Sequence, residues 1–359
     1  MEGKTIKTIV LYPRPHIDTI VAVLLARAYG EKKYPGVSNA AFEFWTELPE
    51  GKTPDSLLEE GYLLIDIGGG TLDHHIEDED TKITDGVAKL TVQHLGIERF
   101  PEIQKLLQWA QRDEIDGKGI SSNDPLDRAF GLSGLTMSLL RVHADKPEMI
   151  VTSVLALLEA HLAQEKRRFY DIPEEWVAAT KNGKGALYTM AHGDRKVTVA
   201  SIETSSTEMA GYLRNNRNIK ADLVIQVLPS GHINLVSNQS SSLELKDIVR
   251  ILRVEEGRKK GIDLSHVSEK DLASRRRIPE IDEWFYDIVA NTVQNGGVVL
   301  DSMQPTRLSA AEVLNAVYVG LDMYMLEKKC PPAGCRGNAC YFFDFKLKRC
   351  TDRKKESGF

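Results

Sequence analysis

The sequence predicts an α/β protein: an N-terminal domain built on a parallel sheet, a smaller second α/β domain, and a cysteine-rich C-terminal tail. Three observations carry this. Short β-branched runs alternate with longer Ala/Leu-rich runs through the first half, the pattern of a parallel sheet with crossover helices. The alternation restarts with new strands after a turn-rich break at Lys181-Asn182-Gly183-Lys184-Gly185. All four cysteines fall within the last thirty residues.

The elements follow in order. Ile6 to Tyr12 (IKTIVLY) is β-branched and apolar and reads as a buried strand. Beyond Pro13 and Pro15, Asp18 to Tyr29 (DTIVAVLLARAY) is long and Ala/Leu-rich and reads as a helix. Phe42 to Leu48 and Tyr62 to Ile67 are two further strands, the second ending in Gly68-Gly69-Gly70, where the chain can turn sharply. Helices are expected at Asp85–Leu95 with Thr84 as N-cap, Pro101–Arg112, Gly134–Val142 and Pro147–Phe169. The second set has strands at Ala186–Met190, Lys196–Ile202, Ala221–Val227 and Ile233–Val236, with helices at Thr207–Arg214 and Leu245–Glu256. Arg275-Arg276-Arg277 reads as an exposed connection, Asn295-Gly296-Gly297 as a turn, and Leu308–Leu326 as a final helix that packs back on the body. The domain limits drawn from this pattern are residues 1–170, 185–326 and 327–359.

Composition narrows the class. The chain has 359 residues, 42% hydrophobic and 27% charged, which excludes collagen-like and largely disordered chains. No apolar run reaches the roughly 18–20 residues needed to span a bilayer, and the start lacks an apolar signal region, so a cytoplasmic protein with no membrane partner is expected. The formal net charge is −6. It is unevenly spread: residues 327–359 carry net +5 and the first 326 carry −11. A basic tail on an acidic body can hold a polyanion through phosphate contacts, or merely keep the chain soluble.

The strongest chemical signal is Asp66-Ile-Gly-Gly-Gly-Thr-Leu-Asp73-His74-His75. A strand ends in an aspartate, three glycines let the backbone reverse, and a carboxylate with two imidazoles follows. Oxygen and imidazole donors together suit a divalent ion such as Mn²⁺ or Mg²⁺. His16-Ile17-Asp18 lies between the first strand and its helix, where His16 and Asp18 can face the same strand-end cleft. Asp18 alone could equally cap that helix. Asp113-Glu-Ile-Asp116-Gly117 puts carboxylates at a helix C-terminus, against the macrodipole, which points to another role for Asp113 or Asp116. His16, Asp18, Asp66, His74 and Asp116 or Asp113 would supply one complete metal site or two, suited to in-line attack on phosphorus by a metal-bound hydroxide.

These motifs resemble the DHH phosphoesterase superfamily, which includes RecJ-type exonucleases, nanoRNases and cyclic-dinucleotide phosphodiesterases. His16-Ile-Asp18-Thr-Ile-Val-Ala22, Asp73-His74-His75 and Asp113-Glu-Ile-Asp116-Gly117 are most similar to its MYG-type exonuclease branch. The resemblance implies that Asp66 bridges two metals, that His74 and Asp116 complete one shell with Asp18, and that His16 serves the other. It implies that His75 contacts the scissile phosphate and that Asp73 orients a histidine. Relatives in that superfamily are frequently dimers, so a homodimer is implied as well. The motif typically has a further histidine upstream of the first aspartate; here Leu11-Tyr12-Pro13-Arg14 stand there.

The resemblance also implies a second domain that reads the substrate through a glycine-rich segment. Gly231-His232 matches that segment in reduced form, and Arg214, Arg217 and Asn238 are nearby phosphate or base contacts. A hairpin turn at Ser230-Gly231 accounts for the same residues without a ligand. In the tail, Cys330, Cys335, Cys340 and Cys350 are spaced C-x4-C-x4-C-x9-C. A closed four-thiolate Zn²⁺ site fits a short loop in a cytoplasmic protein better than disulfides do; an iron–sulfur cluster is the other metal reading. Arg336, Lys346, Lys348, Arg349, Arg353, Lys354 and Lys355, with Tyr341, Phe342 and Phe343, would suit a single-stranded nucleic acid, or the segment is a structural staple. The function expected is a divalent-metal phosphodiesterase, an exonuclease on RNA or single-stranded DNA or an enzyme of a small phosphodiester. The alternative is a nucleic-acid- or nucleotide-binding protein on a catalytically reduced DHH scaffold.

Overall fold

β1 (Thr8–Leu11) is flanked on both sides by parallel neighbours, β2 (Ala41–Phe44) and β3 (Tyr62–Leu64), in the order β2-β1-β3. The register pairs Thr8 with Ala41 on one side and with Tyr62 on the other. This is a computed structural model, and it describes residues 5–75, 86–115, 123–275, 277–296, 303–321, 340–348 and 350. The chain divides into two compact units, Met1–Phe169 and Tyr170–Phe359. It is a mixed α/β protein, with a small parallel sheet in the first unit and a larger mixed sheet in the second. Among the described residues, no helix is long and apolar enough to cross a membrane.

The period-two alternation of strands sorts the first unit's core into two layers. Ile9, Leu11, Leu63 and Ile65 join the larger cluster, built on α1 (Ile17–Tyr29), α3 (Val87–Leu95), α4 (Gln104–Ile115) and α7 (Pro147–Lys166). Val10 and Leu64 point to the other face and meet Leu57 of α2 (Pro54–Glu60) and Ile67. Residues 17–26 of α1 are all buried, because it packs against α3, α4 and α7 as well as the sheet. A strand covered on both faces and a helix covered all round both read as near-continuous apolar runs, which is why these elements stand out in the sequence.

Some boundaries differ from expectation for identifiable reasons. The helix expected at Asp85–Leu95 starts at Val87 with Gly86 as its N-cap residue; Thr84 lies outside the described residues. Pro101–Ile103 forms a separate 3-10 turn before α4. α2 was not anticipated, because seven mostly polar residues carry little periodicity. Its signal is a cap: the Thr53 side chain accepts from Ser56 N and Ser56 from Thr53 N, with Pro54 at the first helical position. α5 (Pro125–Phe130) and α6 (Leu132–Val142) complete the helices of this unit among the described residues.

A buried carboxylate ties α4 to α7. Glu165 is 5% exposed and accepts from Lys105 Nζ at 2.8 Å, with Arg168 at 3.4 Å. Burial pushes its carboxyl up, but the Lys105 hydrogen bond and the charges of Lys105 and Arg168 more than reverse this, so it titrates below its ordinary range. A depressed folded-state value gives stability that is present above the usual carboxylate pKa and lost as pH falls through the depressed one. Lys105→Met is therefore expected to raise the pH midpoint of acid unfolding, measured by circular dichroism, and to change stability less at the acid end than at neutral pH. An unmoved midpoint would remove this pair from the acid response.

In the second unit, the strands β4 (Gly185–His192), β5 (Arg195–Glu203), β6 (Leu223–Val227), β7 (Ile233–Ser237), β8 (Phe285–Asp287) and β9 (Thr292–Gln294) lie in the order β4-β5-β6-β7-β9-β8. Only β5 and β6 of these pair in parallel, joined through α9 (Met209–Asn215). α8 (Ile172–Lys181) and α9 cover one face through Trp176, Met209 and Leu213. α10 (Lys246–Lys260) and α12 (Ala310–Leu321) cover the other, with the short helix α11 (Glu269–Leu272) beside α10. α8 and the β8–β9 hairpin were not anticipated from the sequence. Asn295, expected in a turn, is fully buried: its side chain donates to Glu283 O and Gln304 O and accepts from Thr306 N.

Candidate metal centre

The loop after β3 gathers the Asp/His cluster. Ile65 N donates to Val10 O, and the next residue, Asp66, leaves the strand with φ 63°, in the left-handed region. Aspartate tolerates that conformation better than most residues. Gly68 and Gly69 follow at φ 80° and 73°, a pair of left-handed positions that glycine takes without strain. Asp66 N donates to Leu72 O at 2.8 Å and Asp73 N to Gly70 O at 3.0 Å. The reversal carries Asp73, His74 and His75 back against Asp66.

Asp66 Oδ1 lies 2.8 Å from His74 Nδ1 and 3.3 Å from His75 Nδ1. Asp73 Oδ1 lies 3.1 Å from His75 Nδ1 and accepts from His75 N at 2.9 Å, while Asp73 Oδ2 accepts from Gly69 N at 2.7 Å. One donor atom from each of Asp66, Asp73, His74 and His75 falls within 4.8 Å of all the others. The side chains of Asp66, Asp73 and His74 are 10%, 4% and 14% exposed, whereas that of His75 is 64% exposed. The cluster therefore has a dry floor and one wet wall.

Electrostatics follows the same geometry. Burial pushes the Asp66 carboxyl up, but the hydrogen bonds from His74 and Thr19 and the charges of His74 and His75 outweigh it and hold it below its ordinary range. Asp66 Oδ1 is buried, and the imidazole nitrogens of His74 and His75 stand close to it. Carboxylate oxygens and imidazole nitrogens converging on one point are the donor types that suit a hard or borderline divalent cation. Asp73 spends both oxygens on the loop and on His75, the arrangement by which a second carboxylate orients a ligand.

α1 approaches this cluster with its first turn. Thr19 Oγ1 donates to Asp66 Oδ2 at 2.5 Å, a contact that nothing in the sequence pattern signals, since the partners are 47 residues apart. The neighbouring Asp18 is turned elsewhere: its Oδ1 accepts from Ala88 N at 3.2 Å, in the first turn of α3. A Cβ on Gly86 would stand 2.3 Å from Asp18 Oδ2, so the N-cap glycine of α3 leaves room for a carboxylate from α1 to do the capping. His16 is half-buried and is the N-cap residue of α1, without a side-chain capping bond. Asp113 is 7% exposed on α4, and its Oδ1 accepts no hydrogen bond among the described residues. His16, Asp18 and Asp113 are not in the four-residue donor group, and Asp116 lies outside the described residues.

The substrate contacts expected in the second unit are engaged in the fold. Gly231 (φ 86°) sits in the turn between antiparallel β6 and β7, with Gly231 N donating to Leu228 O. His232 is 6% exposed; its Nδ1 meets Ser230 Oγ and its Nε2 meets Met303 O, both at 2.9 Å. Arg214 donates to Ala210 O and Ser237 O, and burial lowers its pKa. Asn238 accepts from Ser240 N. These contacts match the hairpin reading and leave His232 little to offer a ligand.

The described part of the tail is pinned to α10. The Arg258 guanidinium lies over the rings of Tyr341 (4.6 Å) and Phe345 (4.9 Å) and donates to Asp344 Oδ2 at 2.9 Å. Phe345 and Leu347 are buried, and Lys346 Nζ donates to Ser265 O at 2.8 Å. These contacts tie residues 341–347 to α10 and its neighbours, while Tyr341 and Lys348 stay exposed. Cys340 and Cys350 are half-buried; Cys330, Cys335, Arg336, Arg349, Arg353, Lys354 and Lys355 lie outside the described residues.

No protein-family model matches the sequence, and no curated protein matches it. Among solved structures, the chain is similar to an uncharacterized protein from Helicobacter pylori G27, with 10% identity over 88% of this chain and 98% of that one, at a TM-score of 0.23. A likeness that weak assigns neither fold nor function.

Proposed function

We propose that the chain is a divalent-metal-dependent phosphodiesterase, acting on single-stranded RNA or DNA or on a small phosphodiester such as a cyclic dinucleotide. The observation that carries this is the convergence of Asp66, Asp73, His74 and His75 within 4.8 Å at the carboxyl end of a parallel strand. The resemblance of these motifs to DHH phosphoesterases supplies the reaction class.

In this reading Asp66 and His74 hold Mn²⁺ or Mg²⁺, and His16, Asp18 and Asp113 or Asp116 are the further ligands the resemblance implies. When bound, the cation supplies Lewis-acid charge to a phosphoryl group and activates water. His75 has a separate task. Its Nδ1 faces Asp73 and Asp66, so Nε2 is the nitrogen left to donate to a phosphate oxygen from the wet side of the cluster. Asp73 holds that ring and, through Gly69 N, the loop beneath it. The same proposal assigns Zn²⁺ to Cys330, Cys335, Cys340 and Cys350 as a structural site.

A second reading has its own observation. Asp18 caps α3, and only one four-donor group forms among the described residues, so the scaffold fits single-ion chemistry or binding without turnover. The test is cleavage of labelled RNA and DNA oligonucleotides and cyclic dinucleotides by the full chain, with and without Mn²⁺, alongside elemental analysis. Mn²⁺-dependent products with about one zinc per chain are expected. Salt-sensitive oligonucleotide binding without product, over a range of metals, would replace the enzyme with the binding protein.

A further inference from the structure

We propose that Thr19 is a positioning residue of the cation site: its hydroxyl fixes the Asp66 carboxylate so that one oxygen faces the imidazoles. The inference rests on reading Asp66 as a cation ligand. Thr19 is 1% exposed, and its Oγ1 donates to Asp66 Oδ2 at 2.5 Å. With Oδ2 committed, Oδ1 is the oxygen directed at His74 Nδ1 and His75 Nδ1, 2.8 and 3.3 Å away.

The use of this hydroxyl sets it apart from the other helical threonines among the described residues. Thr91, Thr136 and Thr152 each donate to the carbonyl four residues earlier in their own helix, the usual outlet for a helical threonine hydroxyl, and Thr91 and Thr136 are as buried as Thr19. Thr180 donates to the carbonyl three residues earlier. Thr19 donates instead to a carboxylate on a different element. The donor is also rigid: a β-branched side chain in a helix has few χ1 options, and Ile20 and Val21, which follow it directly, are fully buried. At the acceptor, Asp66 sits at φ 63° with its carboxylate against α1, and the Thr19 hydrogen bond restrains rotation of that carboxylate. A ligand held by an outer hydrogen bond loses about 10–100-fold in metal affinity when that bond is removed.

The experiment titrates Mn²⁺ into the metal-stripped full chain, by calorimetry, for wild type, Thr19→Val and Thr19→Ser, with thermal unfolding of each recorded before metal is added. Valine keeps the shape and removes the donor; serine keeps the donor and removes a methyl group. The expected result is Mn²⁺ affinity about 10–100-fold weaker in Thr19→Val and within about threefold of wild type in Thr19→Ser. A purely packing role would reverse that order or move only the unfolding temperature. Equal affinity in Thr19→Val and wild type overturns the inference while leaving the cation site standing. An absence of Mn²⁺ binding in wild type overturns the site itself and the role of Thr19 with it. Should Thr19→Val fail to fold, a tenfold loss of affinity in Thr19→Ser would still overturn the inference.

Discussion

Asp66→Asn is expected to weaken Mn²⁺ binding by more than about 100-fold, beyond the usual cost of losing an outer-shell partner, and to abolish hydrolysis with the fold intact. The choice of asparagine follows from the backbone. Asp66 sits at φ 63°, where a residue with a plain Cβ is disfavoured by about 1–2 kcal/mol but asparagine is tolerated. Asp66→Ala would therefore mix a backbone penalty with the loss of the ligand, and a dead variant could be an unfolded one. Asparagine keeps the shape and an oxygen for the Thr19 hydroxyl, while the negative charge beside His74 and His75 is gone. The controls are far-ultraviolet circular dichroism and the unfolding temperature without metal. Wild-type Mn²⁺ affinity in a folded Asp66→Asn protein would take the cation site away from this loop, and the phosphodiesterase reading with it.

What the sequence made legible was what is local. The ten residues from Asp66 to His75 hold the turn, the two carboxylates and the two imidazoles, so the cluster follows from short-range backbone geometry alone. Strands β1 and β3 and helix α1 were legible for a related reason: burial on every side turns an element into an unbroken apolar run. The contacts that complete the site are of another kind. Thr19 reaches Asp66 across 47 residues and Asp18 reaches Ala88 across 70, and no spacing rule encodes either. The tail shows the limit of composition. A basic, aromatic segment is chemically fit to stack on bases, but composition says nothing of its partner within the fold: Tyr341 and Phe345 lie against Arg258, a residue more than eighty positions upstream. Gly231-His232 makes the same point, since the strands on either side turn the pair into a hairpin with both imidazole nitrogens engaged.

Arg253→Met is expected to destabilise the second unit by about 3–5 kcal/mol, although methionine fits the volume and suits a buried helix position. Arg253 is fully buried on α10, and burial pushes its pKa down to about 10, which leaves it protonated at neutral pH. Its charge is accommodated by main-chain acceptors: Leu272 O at 2.8 Å, Ser274 O and Trp284 O at 3.1 Å, and Asp271 O at 3.3 Å. One turn further on, Glu256 is also fully buried and accepts from Trp284 Nε1 at 3.1 Å, from Arg307 N at 2.8 Å and from the Thr306 hydroxyl. The two charges thus hold Trp284 from both ends, its carbonyl by Arg253 and its indole by Glu256, and tie Asp271, Leu272, Ser274, Trp284, Thr306 and Arg307 to one helix. Removing the guanidinium takes this donor from the buried Leu272 and Trp284 carbonyls, at about 1–3 kcal/mol for each that finds no substitute. Glu256→Gln keeps an acceptor for the indole and is expected to cost less, about 1–2 kcal/mol. Because both act on Trp284, the double variant should depart from additivity by 0.5 kcal/mol or more, about the lower bound for residues sharing a network. Denaturant titration followed by tryptophan fluorescence measures all three, and Mn²⁺ affinity, which belongs to the first unit, should not change. A loss below about 1 kcal/mol in Arg253→Met would mean that the carbonyls find other donors and that Arg253 is not what fixes this segment.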